Sequence, residues 1–412
     1  MKFSSYNLTP QIKGNLEGLG FKKPTDIQYK TIPPIMRRED VLAIAQTGTG
    51  KTAAFAIPII HILQTTPARE GHGNVRCLVM EPTHELANQI TEVFQQLGKG
   101  TGVFSSCVIG GVDQAPQIKK LERDIDILVA TPGRMFDLIS QGHINLQSIE
   151  ILVLDEADHM LDLGFIHDIR QLTKIIRHKH QTLFFSATIN EEIKDLAYSL
   201  VNKPVRIQLS PNDPVSKNID HSVAFIEMDD KRFFLERIIT EHPESKILVF
   251  VRTKVRAERV FKALERVNIA SLTIHSDKDQ KERFEVMKQF KEGIIKILIA
   301  TDVSARGIDI PNVEYVVNYD LPEVAENYVH RVGRTGRGTK KGIAVSFCSP
   351  EEKEVLDEIQ GYLTKDITVM AIEKELYDET VAISEASEHD WKSLIEEANS
   401  FEQKKKKKGK KK

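Results

Sequence analysis

The chain has 412 residues, 41% of them hydrophobic and 28% charged, with a formal net charge of −2. That length exceeds one ordinary core and predicts two domains plus extras, with the composition of a soluble globular protein. The balance excludes an overall basic surface, and no apolar run reaches the roughly 18 residues a membrane span needs. Eight positive charges lie in the lysine runs at 404–408 and 410–412, so the rest of the chain is distinctly acidic. Cys77, Cys107 and Cys348 are far apart, form no metal-ligand spacing, and read as reduced core thiols. Residues 1–6 carry no apolar signal region, so the expectation is a cytoplasmic protein with no membrane association.

The first half alternates apolar runs at 41–45, 77–80, 106–109, 125–130, 151–154 and 182–185 with longer amphipathic segments. Such runs, separated by helical patterns, predict a parallel sheet covered on both faces. After the first run comes Gln46-Thr47-Gly48-Thr49-Gly50-Lys51-Thr52, then a helix-compatible stretch. This is the strand–loop–helix setting of a phosphate-binding loop. Its glycines let the backbone wrap an anion, and the new helix offers unpaired N–H groups. Lys51 would reach the β/γ-phosphates and the Thr52 hydroxyl would ligate Mg²⁺. The run at 151–154 ends in Asp155-Glu156-Ala157-Asp158. A carboxylate at a strand end beside such a loop suits Mg²⁺, held through water by Asp155, and Glu156 suits a general base.

The character changes over 204–217, where Ser210-Pro211-Asn212-Asp213-Pro214 reads as a polar linker. The alternation restarts with runs at 247–251, 271–274, 295–300, 315–317 and 343–347, and helical patterns such as 231–240 and 254–267. This half has no phosphate loop, which suggests one site shared by two α/β domains. The expected divisions are 1–208, a linker at 209–218, 219–368, and a tail at 369–412. In the tail, Trp391, Leu394, Ile395, Ala398 and Phe401 share one face of a candidate amphipathic helix capped by Ser387 or Asp390. That face either docks on the second domain or binds a protein partner, and the terminal lysines are expected to be disordered.

These ordered stretches resemble the DEAD-box family of ATP-dependent RNA helicases, and closely its RhlE-like bacterial branch, over about residues 1–368. The resemblance implies two tandem RecA-like domains, each a mainly parallel sheet flanked by helices, with a short, partly disordered C-terminal tail. It implies ATP and Mg²⁺ as cofactors and RNA, single-stranded or in short duplexes, as partner. Catalytic roles fall on Lys51, Asp155 and Glu156. His330-Arg331-Val332-Gly333-Arg334-Thr335-Gly336-Arg337 resembles the arginine-finger motif, so Arg334 and Arg337 would fork onto the γ-phosphate when the domains close.

Gly20-Phe21-Lys22-Lys23-Pro24-Thr25-Asp26-Ile27-Gln28 is similar to the family's adenine-reading motif, which assigns Phe21, Thr25 and Gln28 to the nucleotide. A Gln amide donates to and accepts from an adenine edge at once. Phe3 stands where the family stacks a ring on the base, or else anchors the N-terminus. In the stretch 301–309, the Gly307 backbone would approach the γ-phosphate and Asp309 would bind the ribose. Ser186-Ala187-Thr188 resembles the motif that couples hydrolysis to strand separation, a role shared with His330. RNA contacts are implied for Pro82, Thr83, Gly110, Gly111, Thr131, Gly133 and Arg134, and in the second half for Arg252, Thr253, Gln280, Arg283 and Thr301. Such hydroxyls, amides and guanidinium groups position a sugar–phosphate track without reading bases.

Three positions depart from the family pattern: His84 and His159 stand where Arg is commoner, and Ser276 replaces a Gly. These put RNA affinity in question, not the phosphate chemistry. The expected activity is RNA-stimulated ATP hydrolysis by a monomer, coupled to local, non-processive unwinding or ribonucleoprotein remodelling. An ATP-gated RNA clamp and a DNA-translocating relative are the competing readings. The adenine-reading motif and the Asp155–Asp158 run argue against the DNA relative.

Overall fold

The computed structural model describes residues 2–46, 48–67, 75–123, 125–209, 215–302, 313–336 and 341–385. The chain divides into two compact units, one ending at Asn212 and the next beginning at Asp213.

In the first unit, β1 (Val41–Ala45), β2 (Cys77–Met80), β3 (Ser105–Val108), β4 (Ile127–Ala130), β5 (Ile151–Leu154), β6 (Gln181–Ser186) and β7 (Val205–Leu209) form one sheet. Its order is β3-β4-β2-β5-β6-β1-β7 and every pairing is parallel. Strands β1, β2, β4 and β5 are buried at every position, as continuous Val/Ile/Leu runs require when both sheet faces are covered. The two-residue period of β6 divides its aromatics between the faces. Phe184 joins Leu42, Leu154, Met160 and Leu172 in one core, whereas Phe185 packs 5.3 Å from Phe55 of the helix Lys51–Thr65.

The second unit repeats the plan with β8 (Ile219–Phe225), β9 (Ile247–Phe250), β10 (Ser271–Ile274), β11 (Ile297–Ala300), β12 (Tyr315–Asn318), β13 (Gly342–Cys348) and β14 (Thr368–Val369). The order is β10-β11-β9-β12-β13-β8-β14, again parallel throughout.

Three strands escape the sequence reading: β7, inside the stretch read as changing to linker, β8 and the two-residue β14. Strand β7 alternates polar with apolar residues, β8 carries the polar run Asp220-His221-Ser222, and the two-residue β14 is exposed, so none reads as a long apolar run. The stretch read as the tail from 369 contains a helix. Helix Lys374–Glu385 packs on helix Lys231–Glu241. The Tyr377 ring lies 5.0 Å from that of Phe234, and its hydroxyl donates to Asp230 at 2.7 Å. The candidate helix around Trp391 and the lysine run at 404–412 lie outside the described residues. No described helix is long and apolar enough to cross a membrane.

Candidate functional site

Apart from Phe3, Phe21, Thr25 and Gln28, which precede β1, the first-unit candidates lie at or after the C-terminal ends of parallel strands, so sheet order dictates their arrangement. The stretch 46–52 follows β1, Asp155 follows β5, and Ser186 ends β6; these three strands are neighbours. Pro82 and Thr83 come after β2, Gly110 and Gly111 after β3, and Thr131 after β4, which are neighbours on the other side of β5. Ligands of open parallel sheets bind beyond these strand ends.

At the β1 end, Gly48 and Gly50 hold φ of 79° and 92°, a left-handed region where a side chain is strained. Gly50 is constrained twice, because an added Cβ would come within 2.6 Å of Gln28 Nε2. Gln28 Nε2 donates to the Gly50 carbonyl at 3.1 Å while its Oε1 accepts from the Thr25 amide at 3.0 Å. The adenine-reading candidate is thereby tied directly to the phosphate-loop candidate. Phe3 is buried, with its ring edge-on to Phe21 at 5.9 Å. Thr49 Oγ1 donates to the Gln46 carbonyl at 2.8 Å. Thr47 lies outside the described residues.

Lys51 and Thr52 open the helix Lys51–Thr65. Lys51 is buried, and its Nζ has no hydrogen-bond partner among the described residues. Beside it, burial pushes the Asp155 carboxyl up to about 6; Lys51 opposes that rise and Glu156 adds to it. Asp155 Oδ1 accepts from the Glu156 amide at 2.9 Å, and Glu156 itself is held at φ 48°. A third carboxyl, Glu81, stands well above the usual carboxylate range because it is fully buried and faces Asp155 and Glu156. An orphaned buried ammonium beside crowded carboxylates fits an anionic ligand carrying a hard divalent cation. Lys51 is the group that could hold such an anion, and Thr52 and Asp155 are the oxygen donors that could hold the cation.

Asp158 looks the other way. Its Oδ2 accepts from the amides of Ala187 and Thr188 and from Thr188 Oγ1, at 2.9 to 3.1 Å. Ser186 is fully buried next to them. His159 places Nδ1 3.6 Å from Glu156 Oε2.

Two of the RNA candidates precede helices. Thr83 caps the helix His84–Leu97, accepting from the Leu86 amide at 3.3 Å, and Thr131 precedes the helix Pro132–Ser140. Gly133 and Arg134 belong to that second helix, and Arg134 Nη2 donates to the Val112 carbonyl at 3.0 Å. Gly111 has a φ of 70°, and a Cβ on Gly110 would crowd His84 Nε2 at 3.2 Å.

The second unit presents its candidates in the same way. Arg252 and Thr253 follow β9, Thr301 follows β11, and Gln280 and Arg283 begin the helix Gln280–Glu292 after β10. Thr253 caps its helix by accepting from the Arg256 amide at 3.1 Å. Arg252 Nη2 donates to Glu352 Oε1 at 3.0 Å, and its amide to Asp320 Oδ2 at 3.0 Å. Glu352 Oε2 also takes the ammonium of fully buried Lys231. Arg334 is buried, with Nε donating to the His330 carbonyl at 3.1 Å. Gly307, Asp309 and Arg337 lie outside the described residues.

Several partners carried no signal of their own in the sequence. Arg331 grips Asp302 with two parallel bonds of 2.5 and 2.7 Å, joining two motifs that were read separately. Glu81, Lys231 and Glu352 are lone charged residues whose burial only the fold reveals.

The model for the DEAD/DEAH box helicase matches residues 25–196, and that for the helicase conserved C-terminal domain matches 230–339. The ATP-dependent RNA helicase RhlB of Shewanella woodyi is 41% identical over 378 residues, spanning 91% of this chain and 86% of that protein. The chain belongs to the DEAD-box family of RNA helicases. RhlB of Shewanella sediminis is 40% identical over the same length, covering 91% of this chain and 87% of that protein. Both DEAD-box relatives are named RhlB, not RhlE, so the branch is not fixed by them. Among solved DEAD-box structures, S. cerevisiae Dbp5 bound to RNA and ADP BeF3 matches with a TM-score of 0.82 and 31% identity, covering 94% of this chain and 99% of that one. Mss116p bound to ssRNA and AMP-PNP gives a TM-score of 0.82 at 28% identity, covering 95% and 83%. As a DEAD-box member, this chain is an RNA-dependent, ATP-hydrolysing helicase that binds nucleotide and RNA through two RecA-like domains.

Proposed function

We propose that ATP binds at the Lys51–Asp155 cluster, and that its hydrolysis drives local, non-processive separation of short RNA duplexes or remodelling of ribonucleoproteins. The observation that carries this is the buried, orphaned Lys51 Nζ among carboxylates, in a sheet that lines up RNA candidates on one side of β5 and nucleotide candidates on the other. Phe3, Phe21, Thr25 and Gln28 hold the adenine, and residues 46–52 wrap the phosphates. Thr52 and Asp155 hold Mg²⁺, which when bound neutralises charge on the phosphate oxygens. Glu156 orients the attacking water and takes its proton. Arg334 and Arg337 act on the γ-phosphate, and Gly307 and Asp309 complete the nucleotide contacts.

Thr83, Thr131, Arg134, Arg252, Thr253, Gln280, Arg283 and Thr301, with Pro82, Gly110, Gly111 and Gly133, form the strand track. Ser186, Thr188 and His330 couple the two sites. In the same reading, residues 1–208 form the ATP-binding domain and 219–368 the core of the second, joined by 209–218. The protein acts as a cytoplasmic monomer of the RhlE-like branch, and its C-terminal tail, 369–412, meets a protein partner.

ATP hydrolysis measured with RNA, with matched DNA and with neither tests this, alongside Glu156→Gln. Strong stimulation by RNA alone, lost in the variant, supports it. Equal stimulation by DNA would overturn the RNA track. RNA held stably while hydrolysis is blocked, with no unwinding, would favour the clamp.

A further inference from the structure

Glu81 is the last place one would put a carboxylate for stability. It is fully buried, and among the described residues neither of its carboxylate oxygens has a hydrogen-bond partner. A charge in that condition is costly unless something arrives to pair with it. Its position follows from strand register. Met80 of β2 pairs with Leu154 of β5, so Glu81 and Asp155 are the next residues on adjacent parallel strands. The ladder continues through both, with Asp155 N donating to the Met80 carbonyl at 3.3 Å and Glu81 N to the Ala130 carbonyl at 2.9 Å. The charges that Glu81 feels most are those of Asp155, Glu156 and Lys51.

Three carboxylates therefore meet one ammonium, while Asp158 is already committed to Ala187 and Thr188. With all three ionised, the cluster is short of positive charge. Mg²⁺ supplies two charges and keeps several of its waters, and those waters need acceptors beyond the direct ligands. We propose that Glu81 is a positioning residue for Mg²⁺, its carboxylate accepting from a water of the ion's hydration shell beside Asp155. Because Glu81 directly precedes Pro82 and Thr83, it also joins the ion's surroundings to the start of the RNA track.

This inference rests on the Lys51–Asp155 cluster being the nucleotide site. The test is the binding of a fluorescent methylanthraniloyl ADP to the full-length protein, Glu81→Gln and Glu81→Ala, while Mg²⁺ is titrated. Binding in EDTA and thermal melting without nucleotide are measured in parallel. Both variants are expected to raise the Mg²⁺ concentration at half-saturation by about 10-fold. Binding in EDTA should be equal or tighter, because a negative charge near the phosphates is gone. The melting temperature should hold or rise, because an unpaired buried carboxyl has been removed. Glu81→Gln keeps the volume, so a shift shared by both variants reports the charge and not a cavity. An unchanged Mg²⁺ half-saturation in the folded variants would overturn the proposal, leaving Glu81 a structural residue. Wild-type protein that binds ADP without any Mg²⁺ dependence would instead overturn the site reading beneath it.

Discussion

Asp158 Oδ2 accepts twice from Thr188, at 2.9 Å from its amide and at 3.1 Å from its hydroxyl. The acidic motif after β5 and the Ser186–Thr188 motif after β6 are thus latched by a single carboxylate oxygen. Thr188→Val removes the hydroxyl arm and leaves the backbone arms in place. A hydrogen bond to a charged group is worth about 1.5–3 kcal/mol, enough to shift a two-state equilibrium by roughly 10-fold or more. The expected outcome is that unwinding per ATP hydrolysed falls by about that factor, while RNA-stimulated hydrolysis is largely retained. Paired strand-separation and phosphate-release assays read both quantities, and a parallel loss of the two would mean that the latch serves the ATP site alone.

The Asp155 carboxyl lies at about 6, above its ordinary 3.8, because it is buried. A raised carboxyl binds its proton more tightly in the folded than in the unfolded state between those values. Folding stability of the metal-free protein is therefore lost as pH rises through that window, and the penalty is complete above it. Asp155→Asn carries no such penalty. In EDTA, its advantage over wild type in urea unfolding should be near zero at pH 4 and grow to about 1–3 kcal/mol by pH 7. An advantage independent of pH would assign the cost to packing and not to ionisation.

These two relationships mark where sequence reasoning stops. The central strands were legible because a strand buried on both faces must be apolar throughout, as β5 is from Ile151 to Leu154. The phosphate loop was legible because its chemistry is local, with Gly48, Gly50, Lys51 and Thr52 inside five positions. Strands β7 and β8 were not, since polar residues interrupt both and neither carries a continuous apolar signature. Nor were the long-range charges. Glu352 lies 121 positions from Lys231, and Glu81 lies beside Asp155 only through the β2–β5 register. A lone Glu in a sequence reads as solvated surface, and the fold alone decides that these two are not.

Lys231 and Glu352 form a pair buried on both sides, and Glu352 also anchors Arg252. Lys231→Met leaves Glu352 with less compensation and should destabilise the second domain by about 3 kcal/mol, seen as a lower urea midpoint. Adding Glu352→Gln removes the stranded charge and should restore most of that stability. It does not restore the hold on Arg252, so the double variant should remain weaker in RNA binding by a few-fold while melting near wild type. Recovery of both properties together would show that Arg252 needs no such anchor.

The lysines at 404–412 provide the last test, one that depends on charge and not on any fold. Eight positive charges following an acidic body can hold an RNA strand near the core by releasing its counterions, without touching the bases. Tethered in this way, the strand is at a higher effective concentration for the track. Deleting 404–412 should raise the RNA concentration for half-maximal ATPase several-fold and leave the maximal rate unchanged. The logarithmic salt dependence should flatten by about 0.7 for each phosphate of a single strand that a lysine no longer neutralises. If the half-maximal concentration and the salt slope both stay where they were, the run does no more than keep the protein in solution.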